Sequence, residues 1–248
     1  MTVWNIHFLN SRNDVTMVMS DVRAATRDAV AKVSERADLP RFDLVVRAGN
    51  DVIPDWGVAG HTPAAGVVYL TVNPERFDAA LTLRTLVRQL HHLIRWDGPG
   101  YGKSLGEVLV SEGLAGHFVL QVLGGKPDPW DTTTLATGLA RKAMNEWARP
   151  DYDHARWFLG KGDIRKWAGY SLGHKLVAEH LTQNPGEDAV TLATTRFDVL
   201  RPTMRKLVNE DGPAPVRDGG DAGDPVSEPV VDATEITADA EKPADSQG

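Results

Sequence analysis

The 248-residue chain has no cysteine. That excludes disulfides, thiolate metal ligands and a cysteine nucleophile, and it agrees with a reducing compartment. No apolar run approaches the roughly 20 residues needed to cross a bilayer. The start, "MTVWNIHFLNSRND", lacks the basic region and apolar stretch of a secretory leader. Lysine and arginine nowhere form a stripe, so no nucleic-acid partner is expected. From these absences the expectation is a cytoplasmic protein with no membrane partner. The hydrophobic share, 42%, is enough for a packed core.

The net charge of −7 is unevenly placed. From Glu210 onward eleven acidic residues face only Arg217 and Lys242, a local balance of −9, which leaves Met1–Asn209 at about +2. The end, "EDGPAPVRDGGDAGDPVSEP…", is rich in Asp, Gly, Pro and Ala and has no aromatic residue. Such a composition buries too little apolar surface to offset chain entropy, so residues 209–248 are read as a disordered acidic tail serving solubility, spacing or a partner. Residues 1–208 are read as one domain.

Within that domain "VWNIHFL" alternates as a strand does, and Ser20–Ala37 has helical spacing closed by Pro40. "FDLVVRAG" and "GVVYLTVNP" read as further strands, and the Gly- and Pro-dense "DVIPDWGVAGHTPAAG" between them as a loop. Helices are expected over Phe77–Trp96, Leu105–Leu123, Leu135–Trp147 and Tyr170–Thr182, with a last one from about Ala189 that ends before Pro202. A small N-terminal mixed sheet followed by a helical bundle makes the expected class α+β.

"LRTLVRQLHHLIRW", Leu83–Trp96, carries the chemistry. A zinc-peptidase helix places histidines at i and i+4 so that both imidazoles face one metal, and a glutamate at i+1 to take a proton from the metal-bound water. Here His92 falls at the second-ligand position, Arg88 at the first and Gln89 at the base position, while Glu112 in "VSEGLAGHF" suits a third ligand on the next helix. His91 is displaced by about 100° around the helix from its neighbour.

These segments resemble a bacterial family of predicted zinc-dependent proteases with an uncharacterised domain and a gluzincin-like, zincin-like arrangement. Its members read H-E-L-H-H then Trp, E-G-L-A-x-H-F, and Pro-Trp, where this chain has "RQLHHLIRW", "SEGLAGHF" and "PDPW". "WFLGKGDIRKWAGYSLGHKLV", "IPDWGVAGHTP" and "VVYLTVNP" are similar to further family segments, so the resemblance spans most of residues 3–181. It implies His92 and Glu112 as metal positions and Tyr170, beside Trp167, as a candidate oxyanion donor. It also implies an extended peptide bound along an edge strand near His61.

The departures are at Arg88 and Gln89. A guanidinium has no lone pair to offer a metal, and an amide cannot accept a proton near neutral pH. Three functions follow. The first is an inactive pseudopeptidase, with no cofactor, that serves as a binding or regulatory module and in which an Arg88–Glu112 ion pair replaces the metal bridge. The second is an active zinc hydrolase with an atypical set, His92, Glu112 and His174. The third is a metal-free scaffold unrelated to peptides. The bland alternatives are that Arg88 faces solvent with Glu112 capping local structure, and that Tyr170 is a buried aromatic closing the bundle.

Overall fold

The computed structural model describes residues 3–211, so the acidic tail read from the sequence lies outside the described residues apart from its first three positions. Four strands form one mixed sheet: β1 (Trp4–Leu9), β2 (Phe42–Ala48), β3 (Val58–Ala64) and β4 (Val67–Val72), in the order β1-β2-β4-β3. β1, β2 and β4 run parallel, in the register Ile6↔Leu44 and Leu44↔Val68; β3 is antiparallel to β4, with Gly60 opposite Leu70. The class is α+β, as expected.

The parallel β1–β2 pair requires a crossover, and α1 (Met19–Ser34) supplies it. Its buried stripe, Val22, Ala25, Thr26, Ala29 and Val33, joins Phe42, Leu44, Val46, Val68, Leu70 and Val72 of the sheet in one core. α2 (Ala79–Trp96) is buried along nearly its whole length after Leu81. It starts where the Asp78 carboxylate accepts the Leu81 N–H at 2.8 Å, two residues after the expected Phe77. α3 (Leu105–Leu123) begins at a capping box, Ser104 with Glu107, and contributes Val108, Leu109, Val110, Leu114 and Phe118 to the core. α4 (Leu139–Glu146), α5 (Ala168–Gln183) and α6 (Arg201–Glu210) complete the bundle. α3 and α5 touch backbone to backbone: a Cβ on Gly113 would lie 2.2 Å from the Gly173 carbonyl oxygen, and one on Gly173 2.2 Å from that of Leu109.

Two readings of the sequence need correction, and one element was not expected. The segment expected to be a loop contains β3, because its backbone pairs with β4 despite its glycines; Pro63 is tolerated beside a register shift between His61 and Ala64 on a strand at the sheet's edge. No helix runs from Ala189 to Pro202. Turns and a short 3-10 segment, Phe197–Leu200, precede α6, and Pro202 sits in that helix's first turn, where its missing N–H costs nothing. A π-helical turn over Ala155–Leu159 was not foreseen. Among the described residues no helix is long and apolar enough to cross a membrane.

Candidate functional site

The helical period puts Arg84, Arg88 and His92 on one side of α2, and Glu112 of α3 meets the last two. Arg88 Nη1 donates to Glu112 Oε2 at 3.2 Å, and His92 Nε2 lies 3.5 Å from Glu112 Oε1. The guanidinium does not stop at Glu112. Its Nη2 donates to Asp131 Oδ2 in a short contact and reaches Asp128 Oδ2 at 3.5 Å. Asp128 in turn accepts from Arg84, at 2.7 Å to Nε and 2.6 Å to Nη2. Arg88 also lies 5.3 Å from the Trp130 ring centroid. At 5% exposure Arg88 is buried, as are all three carboxylates, so the solvent-facing alternative is excluded.

Burial opposes the charge of each group, and partners decide the outcome. For Arg88, Asp131, then Glu112 and Asp128, outweigh burial and hold the guanidinium more firmly protonated than usual. For Glu112, burial is offset by His92, Arg88 and the Tyr101 hydroxyl, and the carboxyl falls to about 2. That hydroxyl donates to Glu112 Oε1 at 2.6 Å. Asp131 goes the other way: burial, with Asp128 and Glu112 nearby, outweighs Arg88 and pushes it up to about 7. Asp128 has Arg84 and Glu112 has His92 besides Arg88, whereas Asp131 depends on Arg88 alone and its Oδ1 has no partner.

Gln89 at the base position is engaged by the sheet, its Oε1 accepting from Thr62 Oγ1 at 2.9 Å. The approach is close enough that a Cβ on Gly60 would lie 2.6 Å from Gln89 Cγ. His91 diverges from His92, as its place on the helix requires, and its Nε2 sits 3.2 Å from the Ala189 carbonyl. His174 is not gathered with His92 and Glu112. Its ring stacks on His117 at 4.0 Å, and burial, then His117 and Arg88, lower it to about 3. Tyr170 packs edge-on against Phe158 at 4.9 Å, and burial with Glu112 nearby raises its hydroxyl well above the usual range. Trp167 holds a left-handed backbone, φ 70°, at the start of α5. His61 on β3 is lowered by burial and by His92.

Sequence reasoning missed Arg84, Tyr101, Asp128 and Asp131. The two aspartates flank the Pro-Trp pair in "PDPWD". A buried arginine needs more than one acceptor, which is a signal that pointed to nearby acids.

Compared with known families, residues 22–200 match the profile described as predicted Zn-dependent protease (DUF2268). The chain belongs to this family. No curated protein and no solved structure matches it. The family's description implies zinc, and the side chains can be tested against that. Among the described residues no three of His, Asp and Glu are grouped as a metal site requires, and a guanidinium is bonded to the carboxylate that would face the ion. The donor set present does not fit a zinc centre.

Proposed function

We propose that this member of the family is catalytically silent, and that it persists as a protein that binds extended peptide beside α2. One observation carries the reading: the Arg88 guanidinium is buried among Glu112, Asp128 and Asp131, held where a first histidine ligand would stand. Gln89 adds to it, since an amide accepting from Thr62 cannot act as a general base. The polypeptide thus joins α2 to α3 by ion pairs, and the scaffold keeps its shape without a metal bridge.

The peptide part rests on β3, the sheet's antiparallel edge strand, which runs against α2. Much of its edge is already engaged. Val58's carbonyl accepts from the Ile53 N–H at 3.4 Å, Thr62's from the Trp96 indole at 3.0 Å, and Pro63 has no N–H. Strand addition is therefore confined to Ala59–His61. A short pairing of this kind needs side-chain contacts to add affinity, and His61 with the nearby aromatic residues offers them.

The test compares the natural chain with the Arg88→His, Gln89→Glu double variant for zinc content and for hydrolysis of quenched fluorescent casein. The natural chain should be inert and metal-poor, and the double variant should gain zinc. Hydrolysis by the natural chain that disappears on chelation would reject the reading.

A further inference from the structure

One turn beyond His92, α2 buries a second arginine for which the cluster around Glu112 has no use. Arg95 is 1% exposed. Its Nε donates to Ser111 Oγ at 2.7 Å, and its Nη1 to the Ala193 and Thr195 carbonyls at 3.0 and 3.1 Å. All three acceptors are neutral. Among the described residues Arg95 makes no ion pair, and its Nη2 has no hydrogen-bond partner. A buried guanidinium ordinarily lies against a carboxylate, whereas this one has only the Coulombic pull of Glu107, with no direct ion pair, to set against its burial.

Arg95 borders a cavity of about 340 Å³ between the turn after α2, the first turn of α3 and the segment before α6. Arg196 and Thr194 line it on one side, and Pro99 and Phe197 give it apolar walls. The one acid at its rim, Glu107, attracts Arg95 without bonding to it, because the start of α3 holds one of its oxygens. Its Oε2 accepts from the Lys103 N–H at 2.9 Å and from both the N–H and the hydroxyl of Ser104 at 2.8 Å. Arg196 reaches Asp198 only at 3.6 Å, with both side chains exposed, a pair too weak to hold it from another anion.

We propose that this cavity binds a small organic oxyanion, whose charged oxygens sit between Arg95 and Arg196 and whose body lies on Phe197 and Pro99. A free Nη2 edge on a fixed guanidinium presents two N–H donors to a carboxylate or phosphate oxygen, and the Thr194 hydroxyl adds a third. The volume suits a ligand of aromatic-acid size. Because Arg95 also holds the Ala193–Thr195 backbone, the anion would complete a charge that the fold has already fixed in place. The site is separate from the Arg88 cluster and does not depend on the peptide reading.

Phenyl phosphate and benzoate, titrated into the full-length protein at low ionic strength, provide the test. Calorimetry should give saturable one-to-one binding by at least one of them, with a Kd of about 1 mM or tighter for ligands of this size. The probe that binds more tightly separates phosphate from carboxylate recognition. Amide resonances of Gly98, Gly100 and Thr194 should shift on binding. Arg196→Gln, at an exposed position, should keep the natural urea midpoint and weaken binding about five-fold, the upper range for an exposed ion pair. Arg12→Gln, on the distant turn after β1, should leave binding unchanged. The proposal is overturned if neither probe saturates, if the shifts fall elsewhere, or if Arg196→Gln binds as the natural chain does. If Arg95 only braces the backbone, Arg95→Lys would lower stability while no probe binds any variant.

Discussion

At the scale of single residues, Arg88 carries the account. Removing one partner of a buried ion pair leaves an uncompensated charge, and here Asp131 would lose its cation while Asp128 kept Arg84 and Glu112 kept His92 and Tyr101. Arg88→Met should therefore cost about 3–5 kcal/mol in urea unfolding. Arg88→Lys, which keeps the charge without the fork, should fall between the two. Asp131 gives a pH test. In the folded chain it holds its proton up to about 7, against 3.8 for an ordinary aspartate. Across that window the folded chain retains a proton that the unfolded chain has released, so this group's contribution to stability falls as pH rises. Glu112, lowered from 4.5 to about 2, works oppositely: its contribution is full above 4.5 and is lost as pH falls through about 2. Asp131→Asn imitates the protonated form, so its stability relative to the natural chain should rise by about 1–3 kcal/mol from pH 5 to pH 8. A flat difference across that range would show Asp131 ionised throughout. The facing of Arg88 and Glu112 was legible in the sequence, because a helical period and apolar neighbours fix which side chains point inward. Asp131 was not legible, since it belongs to a single 3-10 turn, Pro129–Asp131, where no periodicity assigns a direction.

At the scale of elements, the close contacts of α3 with α5 and of α2 with β3 set the site's dimensions. Gly113→Ala would push a methyl to within 2.2 Å of the Gly173 carbonyl oxygen, where only backbone could yield. A loss of about 1–3 kcal/mol is expected in thermal or urea unfolding. Gly186→Ala, whose Cβ would meet nothing within 4 Å, should be near neutral and serves as the control. The long helices and the three parallel strands were readable because each is an apolar run of the right length bounded by turn or capping residues. β3 was not, because its strand character comes from pairing with β4 rather than from its own Gly- and Pro-rich residues. Pro202 misled for a related reason. Proline ends a helix from within and opens one from its first turn, and only the neighbouring contacts distinguish the two.

At the scale of the whole molecule, a scaffold of this family has its two central helices joined by arginine and carboxylates. Family membership supplies the expectation of zinc, and the proposed reading departs from it on the chemistry of positions 88 and 89. The most direct measurement is native mass spectrometry of the full-length protein after equilibration with zinc and removal of the excess. The account predicts the mass of the bare polypeptide, for the natural chain and for Glu112→Gln alike. One zinc retained per natural chain, and lost in Glu112→Gln, would contradict it.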